Sequence, residues 1–266
     1  MIKKITSIVF FLIIIFIIFL AVVIFSTTTF AFVDTGTAFT LPELENVSTG
    51  EALDFNNLSS LSAKYESNGK AGTIANNSGD PGGKSYGAFQ FASNVGSLDS
   101  FLIWLYNIEI NLYNKLMSAR NKDGGYGSHF DSTWIQIANE DQDYFYKLQY
   151  NYTKQVYFDV VINFYKARGI DFTKRSKSLQ CVIWSTSVQF GKMGAVNIIS
   201  KQNLDFNDDL KEDANLIKSI YAEKRKVNIY FSSSSKNIRN AVYNRFINEE
   251  KDALAMLKEE LSISKK

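Results

Sequence analysis

Residues 65–91 read YESNGKAGTIANNSGDPGGKSYGAFQF, and the interpretation of the whole chain starts from this stretch. Apolar residues just upstream recur at the spacing of one helical face: Leu58, Leu61 and Tyr65. Such spacing predicts a short helix. Asn68-Gly69 is a typical helix stop signal, so Glu66 is predicted to lie in the last helical turn.

The predicted position of Glu66 favours a protonated carboxyl group. The C-terminus of a helix carries partial negative charge, which disfavours a second negative charge nearby. Exclusion of water by Tyr65 and other aromatic rings raises the pKa of a carboxyl group further. A Glu that keeps its proton near neutral pH is suited to act as a general acid.

A second carboxylate, Asp80, follows in a glycine-rich segment. Glycines are concentrated in residues 69–96, and Pro81, one of only two prolines in the chain, directly follows Asp80. Such a stretch adopts backbone shapes that other residues avoid, and a polar turn keeps an Asp ionised. Residues 86–91 then alternate as a short strand. One protonated and one ionised carboxyl group are the pair that glycosidases use.

These residues carry a resemblance to a known family. Glu66-Ser67-Asn68-Gly69, Gly79-Asp80-Pro81-Gly82-Gly83 and Ser85-Tyr86-Gly87-Ala88-Phe89-Gln90 resemble the lysozyme-like hydrolase domain of phage endolysins and type VI secretion spike muramidases. Those domains are relatives of the chitosanase branch of the lysozyme superfamily. Residues 184–191, WSTSVQFG, resemble a second segment, W-S-T-A-V-Q-H-G, with Phe190 where His is common. The resemblance extends over about residues 59–255 and is weak at 245–249.

The resemblance implies catalytic roles for three residues. Glu66 is the implied general acid, and Asp80 is the implied general base that activates a water molecule. Ser85 is the implied residue that orients this water. Inverting enzymes hold the two carboxyl groups roughly 6.5–9.5 Å apart, whereas retaining enzymes hold them at about 5–5.5 Å. The sequence leaves the choice open, and inversion is implied by the resemblance alone.

Three further residues are candidates for substrate binding. Tyr86 lies in loop context beside a glycine, where an aromatic ring can stack on a sugar. Gln90 and Gln189 carry amides that can hydrogen-bond a glycan. A buried amide that satisfies backbone groups is an equally good interpretation of either glutamine.

The remainder of the chain is predicted to be helical. Apolar residues recur at three- and four-residue spacing in 97–120, 131–168, 174–189, 193–201, 208–227 and 235–262. The predicted fold class is mainly α, an α+β lysozyme-like domain with one or two lobes and a small β segment that carries the glycine-rich catalytic turn. One N-terminal transmembrane helix is predicted to precede it.

The N-terminus predicts export. Lys3 and Lys4 precede an uncharged apolar run over residues 8–25, which is long enough to span a bilayer. Residues 1–32 are therefore predicted to be a membrane anchor or a signal sequence, 33–57 an extracytoplasmic linker, and 58–266 the hydrolase domain. The expected localisation is the cell membrane, single-pass with an extracytoplasmic C-terminal domain, or secreted if the chain is cleaved after Ala31.

Composition argues against several other classes. A net charge of +2 gives no electrostatic footprint for nucleic-acid binding. Cys181 is the single cysteine and lies in an apolar helical pattern, so it is predicted to be a core residue rather than a nucleophile paired with His129, the single histidine. The motifs typical of metal sites are missing from the sequence, so neither metal nor cofactor is expected.

The sequence therefore predicts a peptidoglycan hydrolase of muramidase type that cleaves β-1,4 bonds in the glycan strands of the cell wall. A chitosanase uses the same two carboxylates, and a lytic transglycosylase needs the Glu without a base. The alternative of another class is an anchored glycan-binding or assembly module of a secretion or conjugation apparatus. The expected partners are peptidoglycan, the membrane and such machinery.

Overall fold

The architecture was determined from a computed structural model. It describes residues 57–63, 65, 70–76, 82–204 and 212–263, all within one compact unit, Glu43–Lys266. The predicted apolar run at 8–25, most of the predicted linker, and the carboxylates Glu66 and Asp80 lie outside the described residues.

Three two-residue strands form the small sheet. Strand β1 is Ile74–Ala75, β2 is Ser85–Tyr86 and β3 is Phe91–Ala92, and they pair antiparallel in the order β1-β2-β3. The prediction of one strand over 86–91 was therefore wrong. The chain turns back between β2 and β3 because Gly87 and Gln90 both adopt positive φ angles, +78° and +54°, which no strand accommodates.

Strands β2 and β3 form a hairpin, residues 85–92, and Gly87 lies where this hairpin packs closely against the helical core. The buried side chain of Gln149 accepts a hydrogen bond from Ala88 N (2.8 Å) and donates one to Ala71 O (3.0 Å). A Cβ at position 87 would lie 2.3 Å from Gln149 Oε1 and 3.0 Å from the Trp134 ring. Only glycine combines the left-handed backbone with this lack of space.

The variant Gly87→Ala is expected to lose about 2–4 kcal/mol of unfolding free energy, from the left-handed backbone and from disrupted Gln149 hydrogen bonds. Gly124→Ala is the matched control, because Gly124 also has a positive φ, +65°, but a Cβ there meets nothing within 4 Å. It should lose only about 1–2 kcal/mol. Urea denaturation of both variants tests this, and equal losses would contradict the close-approach argument.

Helices make up most of the described structure. They are α1 Ser60–Ala63, α2 Ser97–Ile108, α3 Ile110–Asp123, α4 Ser128–Glu140, α5 Gln142–Thr153, α6 Asp159–Lys166, α7 Lys177–Ser200, α8 Asp213–Lys224, α9 Val227–Tyr230 and α10 Lys236–Ile263. A π-helical turn, Lys154–Phe158, joins α5 to α6. The mainly helical content agrees with the spacing of apolar residues in the sequence.

Polar residues account for the ends of several helices. Asp141 caps α5 by accepting a hydrogen bond from Tyr144 N at 2.9 Å, and this cap breaks the helix that had been predicted as continuous from 131 to 168. Ser176 caps α7 in the same way, through Leu179 N at 3.2 Å. Gly124 ends α3 in the left-handed conformation, in the gap between the helical segments predicted at 97–120 and 131–168.

Aromatic side chains dominate the core. Trp134 and Trp184 are fully buried, and Trp104 packs against the same core while its indole N–H donates to Gln155 Oε1 at 2.8 Å. Tyr150 stacks on Trp184 with 4.8 Å between ring centroids. All three tryptophans therefore contribute to packing.

The membrane-spanning part of the predicted fold class requires correction. Among the residues that the structure describes, none of the helices is both long and apolar enough to cross a bilayer. Even α10, with 28 residues, carries charged side chains along its length. The prediction of a transmembrane helix, and with it the single-pass membrane localisation, is therefore corrected, because neither finds support.

Candidate active site

Both sequence neighbours of Ser85 hydrogen-bond to α4. The Lys84 ammonium group donates to Asp131 Oδ2 at 2.6 Å, and the Tyr86 hydroxyl group donates to Asp131 Oδ1 at 2.5 Å. One carboxylate thus holds both neighbours of Ser85. The predicted water-orienting residue is half-buried and lies on a strand of fixed register.

Tyr86 belongs to the core rather than to the surface. Its side chain is fully buried, with the rings of Phe130 and Trp134 packed edge-on at 5.3 Å each. Burial, together with the hydrogen bond to Asp131, raises the pKa of its hydroxyl group well above the usual range. In this conformation the ring has no exposed face on which a sugar can stack, and substrate binding by Tyr86 stays a prediction.

Gln90 lies at a small cavity of about 90 Å³ beside the hairpin. The cavity is lined by Phe89, Gln90, Phe91, Ser97, Thr153, Tyr157 and Val188. The Gln90 amide donates to Gly87 O at 2.9 Å, which supports the left-handed turn. Part of its hydrogen-bonding capacity therefore serves the backbone, and its contact with substrate stays a prediction.

Helix α7 brings the second segment of the resemblance, 184–191, against the hairpin. The Trp184 ring contacts Phe89 with 5.9 Å between centroids, and Val188 lines the cavity at Gln90. Gly191, the last residue of this segment, has φ +71° and ψ +163° and kinks the helix there. The tertiary structure thus joins two segments that lie about a hundred residues apart in the sequence.

Two residues of this segment, Ser185 and Gln189, belong to a buried polar cluster. The Glu249 carboxylate, fully buried in α10, accepts hydrogen bonds from Ser185 Oγ at 2.5 Å and Gln189 Nε2 at 3.3 Å. The ammonium group of Lys224, also fully buried, lies 3.5 Å from Glu249 Oε2. We call Ser185, Gln189, Lys224 and Glu249 the polar cluster.

Tyr65, the residue before Glu66, contacts α10. Its hydroxyl group donates to Asp252 Oδ2 at 2.8 Å, and the Arg245 guanidinium group lies 5.6 Å from its ring centroid. Burial and the bond to Asp252 raise the pKa of this hydroxyl group well above the usual range. The catalytic roles of Glu66 and Asp80 stay predictions, since both lie outside the described residues.

The cysteine and the histidine serve structure. Cys181 is fully buried, and burial raises the pKa of its thiol to about 12, which confirms it as a core residue. His129 is exposed on α4 and bonds to Asp123 Oδ1 at 2.6 Å. Within the described ranges, there is no group of three or more His, Cys, Asp or Glu residues that could bind a metal ion.

Sequence reasoning missed Asp131 and the charged half of the polar cluster. Lys224 belongs to Lys224-Arg225-Lys226, which reads as a solvated helix end, yet its side chain is fully buried. A local signal for the burial of Lys224 was Tyr221, one helical turn earlier. Its ring centroid lies 4.4 Å from the ammonium nitrogen. Glu249 lies in a charged helix, and its sequence neighbours give no signal that it is buried.

The fold and this site define a mainly helical domain in which one helix, α7, contacts a glycine-rich hairpin and contributes two residues to a buried polar cluster. The family model described as "Type VI secretion system spike protein VgrG3-like, C-terminal" matches residues 58–251, so the chain belongs to this family. The chain is also similar to the type VI secretion system spike protein VgrG3 of Vibrio cholerae serotype O1, with 32% identity over 143 residues. That match covers 53% of this chain and 13% of the relative, so the chain spans only a small part of the relative's length.

The family match corrects the resemblance drawn from the sequence. The assignment to a broad lysozyme-like hydrolase family, together with phage endolysins and chitosanases, is replaced by membership of the spike-protein family. This membership agrees with the predicted link to a secretion machinery at the level of the family. It leaves the reaction, the substrate and the membrane contact to be tested.

Proposed function

We propose that this chain is a peptidoglycan hydrolase that cleaves β-1,4 glycosidic bonds in the glycan strands of the cell wall. Glu66 acts as the general acid, Asp80 as the general base and Ser85 as the residue that orients the attacking water. One observation carries the proposal. Three carboxylates of the helical scaffold accept hydrogen bonds from three segments of the proposed site. Asp252 accepts from Tyr65 beside Glu66, Asp131 accepts from Tyr86 beside Ser85, and Glu249 accepts from Ser185 in the 184–191 segment.

The proposed chemistry follows from the two carboxyl groups. Protonated Glu66 donates its proton to the glycosidic oxygen while the bond to the anomeric carbon breaks. Ionised Asp80 accepts a proton from the water that attacks this carbon, and Ser85 holds the water by a hydrogen bond. The products are a new reducing end and a free hydroxyl group, and inversion at the anomeric carbon is the expected outcome.

Product analysis tests the proposal. The purified full chain is incubated with peptidoglycan sacculi and, in parallel, with chitosan, and the fragments are identified by mass spectrometry. Reducing fragments that end in N-acetylmuramic acid are expected from peptidoglycan. Anhydro sugars would point instead to a lytic transglycosylase, and cleavage of chitosan alone would point to a chitosanase. Binding without cleavage by a folded chain would contradict the enzymatic proposal and favour a glycan-binding module.

The variant Ser85→Ala is expected to lower kcat about tenfold with little change in KM, since a single hydrogen bond to the attacking water is lost. Ser132→Ala is the matched control, because Ser132 is exposed on α4 and bonds only Ser128 O, at 2.8 Å. Steady-state release of reducing ends measures both variants. An unchanged kcat in Ser85→Ala would remove Ser85 from the mechanism.

A further inference from the structure

The ion pair inside the polar cluster is unusually deep. Lys224 and Glu249 come from α8 and α10, and each side chain is completely buried. The rings of Tyr221 and Phe246 lie 4.4 Å and 4.8 Å from the ammonium nitrogen. Burying two charges is costly, and a hydrophobic pair of the same size is often at least as stable. The pair therefore calls for a role beyond packing.

The carboxylate of Glu249 determines which way the amide of Gln189 faces. A carboxylate that faces an ammonium group offers only acceptor atoms. Ser185 Oγ donates to Glu249 Oε1, and Gln189 Nε2 donates to Glu249 Oε2. The reverse orientation would place the amide oxygen against a carboxylate oxygen. The Gln189 carbonyl oxygen is consequently directed away from Glu249.

This carbonyl oxygen is an unsatisfied acceptor. Gln189 Oε1 is buried and has no hydrogen-bond partner among the described residues. Buried acceptors are nearly always paired, because an unpaired one forfeits its hydration. The preceding residue, Val188, lines the cavity at Gln90, so Gln189 belongs to the segment that borders the hairpin. A donor from a bound molecule would complete the site.

We infer that Glu249 is a positioning residue, paired with Lys224, that fixes the Gln189 amide so that its carbonyl oxygen accepts an N–H or O–H of the bound glycan. The inference rests on the proposed function, because it names a contact of the same site. Glu249 acts through Gln189 and touches no substrate itself.

Kinetics and binding of variants test the inference. Gln189→Leu should raise KM about tenfold, the loss of one hydrogen bond, with a smaller change in kcat. Glu249→Gln should raise KM similarly, because a glutamine offers both a donor and an acceptor and no longer orients the amide. The KM of the double variant should be no higher than the KM of Gln189→Leu alone. Additive losses, or a fall in kcat alone, would overturn the inference.

Two further variants keep the test clear. Glu250→Gln is the matched control, because Glu250 is the next residue in α10 and pairs with Arg225 outside the polar cluster. Its KM should be unchanged. If Glu249→Gln does not fold at the assay temperature, Ser185→Ala removes one donor to the carboxylate while keeping the ion pair. It should raise KM by a smaller factor, and no rise at all would count against the inference.

Calorimetric binding of N-acetylglucosamine oligosaccharides separates this inference from the proposed function. A wild type that cleaves nothing would end the proposed function, and an affinity that falls with Gln189→Leu and Glu249→Gln would still support the contact. Cello-oligosaccharides, which lack the acetamido group, identify the donor. If the variants lose affinity equally for both sugars, the donor is a hydroxyl group. If they lose affinity only for the acetylated sugar, the donor is the acetamido N–H. Unchanged affinity for both would overturn the inference.

Discussion

Replacing Glu66 by Gln is expected to lower the rate of glycan cleavage by roughly 10²–10⁴-fold, the usual contribution of a general acid or base. Glutamine keeps the shape of the side chain but has no proton of suitable acidity for the leaving oxygen. The loss should fall on kcat, with KM nearly unchanged, because the proton is transferred in the transition state. Release of reducing ends from peptidoglycan measures it.

Asp80→Asn is the companion variant, and an equally large loss is expected from a hydrolase that needs a base. Glu140→Gln, which removes an exposed carboxylate on α4, should leave the rate unchanged. If Asp80→Asn keeps full activity and yields anhydro products, the reaction is that of a lytic transglycosylase. Full activity in Glu66→Gln would show that another group supplies the proton.

The variant Lys224→Met is expected to lose about 3–5 kcal/mol of unfolding free energy. Methionine fills the space between Tyr221 and Phe246, but the Glu249 carboxylate is left buried without its cation. Urea denaturation at neutral pH measures the loss. Adding Glu249→Gln should recover most of it, since the uncompensated charge is then removed.

Lys226→Met is the matched control for this prediction. Lys226 lies in the same basic run, but its side chain is 54% exposed and its partner is Glu223. Glu223 keeps Lys201 and Tyr230 as partners when Lys226 is replaced, so the loss of this exposed lysine should cost at most about 1 kcal/mol. Equal losses for Lys224→Met and Lys226→Met would contradict the burial of the pair. Strictly additive losses in the double variant at positions 224 and 249 would show that the two charges do not interact.

Much of the fold was predictable because the relevant patterns are local. Helical spacing predicted the mainly α content, and the gap between the predicted segments 97–120 and 131–168 contains Gly124, where α3 ends. The apolar helical pattern around Cys181 predicted its place in the core. Patterns of this kind depend on residues within one or two helical turns, so the sequence displays them directly.

Other features were misread for equally physical reasons. Residues 86–91 alternate as a strand should, but the positive φ of Gly87 and Gln90 turns the chain, and the distant Gln149 and Trp134 leave no room for a side chain at position 87. Tyr86 stands beside a glycine as a loop residue does, yet α4 covers its ring. The N-terminal apolar run predicted a membrane anchor that the described structure does not support.

Local order in the chain was thus enough to predict the helical character, while the roles of Glu66 and Asp80 stay predictions. The burial of Lys224 and Glu249 depended on the packing of distant helices. Ser185 and Glu249 are 64 positions apart, and Tyr65 and Asp252 are 187 apart, yet each pair shares a hydrogen bond. Whether a charged side chain is solvated or buried depends on what packs over it, and a sequence pattern spanning a few turns holds no information about that neighbour.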